Sequence, residues 1–161
     1  MKLRALRSDE RGASIVELAL TAPFLAALVI GITDLARAYS LKLLMEQAAA
    51  RTIEQVENQG AVSTSSYNAG LQTEATNAMT DAGYATGNTY TPDSWVECST
   101  DGTTWTRSTD FTTGCTSGTQ AVYASIKIQR SFVPMFPSRM WPNADSNGNI
   151  TVTGFAEVRM Q

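Results

Sequence analysis

Histidine is absent from this 161-residue chain and cysteine occurs only twice. Without an imidazole there is no Ser-His-Asp or Cys-His nucleophile system, and neither a His-containing nor a four-Cys zinc site can be assembled. Charge is scarce too, at 17% of residues against 43% hydrophobic, and neither sign dominates: 12 Lys and Arg stand against 15 Asp and Glu, for a net charge of -3. A chain with no global positive field has little to hold a nucleic-acid backbone, so a nucleic-acid partner is not expected. No carboxylate pair, glycine-rich phosphate loop or metal-ligand cluster stands out, and the acids beyond Gly83 are scattered. We therefore expect no enzyme active site, no cofactor, no metal and no small-molecule substrate. The length leaves room for one compact domain and little else.

What the sequence does contain is unevenly spread. Residues 1–12 carry Lys2, Arg4, Arg7 and Arg11 against Asp9 and Glu10, and then Ala13 to Thr33 holds a single charge, Glu17. A helix of about 21 residues spans roughly 32 Å, close to the hydrocarbon thickness of a bilayer at about 30 Å. Cations before the run, with a mixed-sign stretch after it (Asp34, Arg37, Lys42, Glu46), favour a cytoplasmic N-terminus and an exported remainder. Other readings of the run are the core helix of a soluble protein, an uncleaved anchor, and a secretory signal cut after Ala38 in the small-x-small stretch Ala36-Arg37-Ala38. The third would release a secreted binding module whose Thr- and Trp-bearing hairpin meets a surface or glycan.

Glu17 is the informative residue. A carboxylate inside a spanning helix costs on the order of 2.5–3.5 kcal/mol at the bilayer centre and less near the ends, so it is seldom placed there without a task. The chain reads Arg11-Gly12-Ala13-Ser14-Ile15-Val16-Glu17, a basic residue and Gly followed by a short uncharged stretch and an acid. Together with Ala19, Pro23, Gly31-Ile32, Asp34, Leu35 and Arg37, this stretch resembles the TadE-like family of minor pilins, or pseudopilins, of tight-adherence (Tad) type IV pilus systems, over residues 11–53. Leu18 departs from the aromatic that often follows the acid in related sequences, which argues against a major subunit.

The resemblance implies that a prepilin peptidase on the cytoplasmic face cuts between Gly12 and Ala13, leaving Glu17 as the fifth residue of the mature chain. Gly12 suits a narrow protease cleft because it has no side chain. The new amine on Ala13 would lie one helical turn from the Glu17 carboxylate, which could neutralise it within the chain or in a neighbour. The implied partners are the peptidase, other pilins, the pilus assembly platform and the lipid bilayer. The implied location is the bacterial inner membrane, crossed once, with the C-terminal domain outside and a possible place in the pilus. Pro23, inside the apolar helix, removes the bond to the Ala19 carbonyl and should kink or loosen the backbone.

Beyond the span, Leu41, Leu44, Met45, Ala48, Thr52 and Val56 share one helical face and Lys42, Glu46, Arg51, Glu54 and Glu57 the other. The same helix is expected to continue to about Gly60. A second helix is expected over 65–82, capped by Ser65 or Ser66, with Tyr67, Leu71, Ala75, Ala78 and Ala82 facing one side and Gly83 ending it. From Thr86 to Thr119 threonine is abundant, which disfavours helix. Asp101-Gly102 between residues 95–100 and 103–107 signals a two-residue hairpin turn. Cys98 and Cys115 would close a loop of about 18 residues, a bridge worth roughly 3 kcal/mol that an exported location permits. Val122, Ala124, Ile126 and Ile128, then Ile150, Val152, Ala156, Val158 and Met160, alternate with polar residues as two long antiparallel strands. Between the strands, the apolar Pro-rich stretch from Phe132 to Pro142 either faces a partner or folds back on the sheet edge or long helix.

The expected architecture is α+β: a leader (1–12), a membrane-spanning helix (13–33), its amphipathic extension (34–60) and an exported domain (61–161) with a small antiparallel sheet and a disulfide loop. The extension packs on the sheet, giving the lollipop shape that the resemblance implies.

Overall fold

The computed structural model describes residues 10–57, 64–108, 114–135, 141 and 143–160, with the backbone alone for 10–13. Helix α1 (Glu10–Glu57) and helix α2 (Thr64–Asp81) precede a four-stranded sheet of β1 (Asn88–Ser99), β2 (Thr106–Ser108), β3 (Thr119–Phe132) and β4 (Ile150–Arg159). The fold is α+β, as expected. Residues 1–9, most of the expected leader, and Gly60, the expected end of the stem, lie outside the described residues.

The span and its amphipathic extension form one helix of 48 residues, at about 1.5 Å per residue roughly 72 Å long. Its two halves differ in what they touch. From Ile15 to Leu35 the large apolar side chains are exposed, whereas Leu41, Met45, Ala48, Ala49, Thr52, Ile53 and Val56 are buried against the head. The polar-apolar stripe from Leu41 onward therefore marks the buried face, with Ala49 and Ile53 widening it. α2 packs beside α1 on that face through Tyr67, Leu71, Ala75, Ala78 and Met79.

Two details of α2 differ from expectation. It begins at Thr64, so Ser65 and Ser66 stand inside its first turn and the position before it lies outside the described residues. Ala82 is exposed and beyond the helix, and Met79 fills the core in its place. The reason is the ending: Gly83 N–H donates to Thr80 O at 2.9 Å and Tyr84 N–H to Met79 O at 2.8 Å, a Schellman closure that needs the positive φ of 86° at Gly83. The closure turns the chain at Ala82 before its side chain reaches the core.

The sheet order is β2-β1-β3-β4 and every pair is antiparallel. Val96, Val122, Ala124, Ile126, Ile128 and Val152 face the helices, and alternation along β3 and β4 follows the expected pattern. β1 starts seven residues earlier than the Trp95 start of the expected hairpin, running through Pro92. Pro92 is tolerated because β2 covers β1 only from Val96 to Cys98, leaving that side an open edge where a missing N–H costs no ladder bond.

The expected two-residue turn at Asp101-Gly102 is wider. β1 and β2 pair no nearer to the turn than Cys98 with Thr106. Asp101 Oδ1 accepts N–H bonds from Thr103 at 2.9 Å and Thr104 at 2.7 Å, and Ser99 Oγ accepts from Gly102 N–H at 2.9 Å. Side chains thus take the donors that a tight hairpin would put into the ladder. These backbone bonds, followed by side-chain bonds from the same threonines, hold the exposed Asp101 carboxyl well below the usual carboxylate range. Cys98 and Cys115 form the expected disulfide, with Cα atoms 5.6 Å apart.

The helix layer lies very close to the sheet at Gly154. A Cβ there would lie 2.5 Å from the Met45 carbonyl carbon and 2.6 Å from its oxygen. Gly154 sits in the inward-facing row of β4, between Val152 and Ala156, where α1 rests directly on the strand backbone.

Candidate functional site

The exposed half of α1 is the feature that a globular core does not explain. Among the described residues, one helix is long and apolar enough to cross a membrane, and its most apolar stretch is wholly unburied. Ile15, Val16, Leu18, Leu20, Phe24, Leu25, Leu28, Val29 and Ile32 are all well exposed. An apolar surface that surrounds the helix instead of forming one stripe needs a lipid or protein environment on every side. The core-helix reading fails on this point, because nothing among the described residues of the head covers these side chains.

Glu17 is exposed within this apolar surface, two turns from the start of α1. Gly12 and Ala13 have helical backbone, and of their surroundings only the backbone is described. Helix α1 continues through Pro23. Just before it, the Thr21 hydroxyl donates to Glu17 O at 3.1 Å and Leu18 O at 3.2 Å, so a side chain adds bonds to the turn from which proline removes one.

Where the span meets the head, Asp34 is fully buried, with Arg37 one turn later donating from Nη1 to its Oδ1 at 3.4 Å. A buried carboxylate is costly unless bonded, so its position fixes how the stem enters the head. The Arg37 guanidinium also lies over the Phe132 ring, 5.3 Å from its centroid, tying the helix to the end of β3. In the sequence Asp34 and Arg37 read as charges flanking the span and as part of the family resemblance; the burial of Asp34 was not expected, and their i, i+3 spacing was the available signal.

The Phe132–Pro142 stretch is divided. Phe132 is buried against the core and Arg37, so this part folds back on the stem, whereas Val133 and Met135 are each 65% exposed. Residues 136–140 and 142 lie outside the described residues. The hairpin tryptophans do not form an open platform together. Trp95 is buried, stacked on Tyr123 with centroids 5.4 Å apart and covered by Arg107 at 4.1 Å. Trp105 is more exposed and carries Arg159 over its ring at 5.6 Å. Ala38, the alternative signal-cleavage position, lies within α1 and packs against the core.

Among the described residues no three His, Cys, Asp or Glu side chains are grouped to hold a metal ion. No curated protein and no solved structure matches this chain. Residues 12–53 match a family model described as TadE-like protein, nearly the stretch on which the resemblance rests, so over that helical stem the chain is similar to the TadE-like family.

Proposed function

We propose that this chain is a pilin-like minor subunit, cut by a prepilin peptidase between Gly12 and Ala13, that acts in Tad pilus assembly at initiation or at the tip. The observation carrying the proposal is the TadE-like stem itself, which leaves an apolar surface with one carboxylate, Glu17, projecting from a folded head. That surface suits a bilayer before assembly and the apolar stems of other pilins after it. The N-terminus would lie in the cytoplasm and the head outside. No step of this role needs a catalytic group, and we read the chain as a substrate and building block, not an enzyme.

The scissile bond lies in the first turns of α1. A peptidase cleft takes extended chain, so these turns must open. Gly12 makes that easier, since glycine is less favourable than alanine in a helix by about 0.8–1.0 kcal/mol. Cleavage then places a cationic amine four residues before Glu17, and pairing of the two in lipid would offset the cost of burying either. The head, with its own sheet and disulfide, is larger than a filament shaft of bare helices requires, which favours an end position.

The test is the mass and N-terminal sequence of the chain from its native membrane. A start at Ala13 is expected. A start at Tyr39 or an intact Met1 in piliated cells would overturn the proposal. Gly12→Leu should accumulate as uncut precursor.

A further inference from the structure

At the junction of stem and head a cleft of about 690 Å³ opens between Ile32, Thr33 and Ala36 of α1 and the last residues of β3. Two guanidinium groups, Arg37 and Arg130, line it. Arg37 is held by Asp34 and the Phe132 ring. Arg130 lies over the Tyr84 ring at 4.8 Å and donates from Nη1 to the Thr86 carbonyl and to Asn88 Oδ1. Both are thus positioned by the fold, and each guanidinium has five N–H donors, more than these bonds use. Against the one carboxylate of Asp34, the pair leaves the cleft net positive.

The level of the cleft says what could occupy it. Thr33 ends the uncharged run, so with α1 across a bilayer the cleft opens among the headgroups. Its rim continues the apolar surface of the stem: Val133 lines it and Met135 follows, both exposed. Planar, fixed guanidinium groups suit phosphate oxygens, and a positive pocket at the membrane surface favours an anionic headgroup.

We propose that this cleft seats one anionic glycerophospholipid, its phosphate against Arg37 and Arg130 and its acyl chains along Ile32 and Val133. The inference rests on the membrane reading of α1, and the bound lipid would fix the head's orientation on the bilayer.

The experiment reconstitutes the full chain in phosphatidylcholine vesicles containing a minor fraction of phosphatidylglycerol, checks co-flotation, and then counts retained lipid by native mass spectrometry after mild detergent extraction. The expected result is one retained phosphatidylglycerol per chain. Retention should fall about tenfold or more in Arg130→Gln and in Ser40→Trp, which fills the cleft from exposed α1 surface without removing either arginine. Failure to float would refute the membrane reading. Flotation with no retained lipid, or with retention unchanged in Ser40→Trp, would overturn the cleft alone. Phosphatidylglycerol displaced by inorganic phosphate, with one phosphate bound per chain in vesicles lacking phosphatidylglycerol, would make it a free-anion site and overturn the lipid assignment.

Discussion

Gly154→Ala is the sharpest test of how the stem is attached. The added methyl would meet the Met45 carbonyl carbon at 2.5 Å, its oxygen at 2.6 Å and its Cβ at 2.7 Å, where carbon contacts normally lie near 3.5–4.0 Å. Two of these atoms are main chain and the Cβ is fixed to it, so no side chain can swing away; α1 or β4 must move by about 1 Å. Met45 is fully buried and α1 also packs on α2 and β3, so a shift at this point disturbs the whole helix-sheet layer. Overpacking of this kind costs about 1–3 kcal/mol, occasionally more, and the backbone nature of the clash places the expectation near 3. For a head of this size that lowers Tm by roughly 12–24 °C. The assay is thermal melting of the head followed by near-ultraviolet circular dichroism in detergent. Gly31→Ala is the control, because a Cβ at Gly31 meets nothing within 4 Å. A Gly154→Ala head melting within a degree or two of the parent would refute the close-contact argument.

Three further expectations follow from particular contacts. Replacing both Cys98 and Cys115 with Ser should destabilise the head by about 3 kcal/mol in the chain-entropy account, measured by urea unfolding; an unchanged midpoint would show that the bridge constrains nothing. Burial, and secondarily Glu57, raise the Tyr67 hydroxyl above its ordinary 10.0, so the folded state keeps a proton that the unfolded chain loses. Stability should accordingly fall as pH rises past about 10, and urea titrations of Tyr67→Phe between about pH 8 and 11 should show a shallower fall than the parent. Glu17→Gln should be cut normally yet enter pili poorly, and normal piliation by that variant would show its charge to be dispensable.

The stem was legible from its residues because its signals are local. A run of apolar side chains with one acid and a basic flank needs no knowledge of the rest of the chain, and the stripe from Leu41 to Val56 announces which side is buried through helical spacing alone. Alternation along β3 and β4 is equally local. The misreadings lie where local chemistry competed with a neighbour: Asp101 capped its own turn and widened the hairpin, and the closure at Gly83 removed Ala82 from the core.

Sequence alone determined the apolar span, the acid within it, the two strand patterns and the cysteines that could pair. Only the tertiary structure decided that β3 inserts between β1 and β4, that Asp34 is buried at the neck, and that Gly154 lies under Met45. Each of these depends on residues far apart in the chain meeting in space. Periodicity records which face a side chain takes; it does not record what is packed against that face.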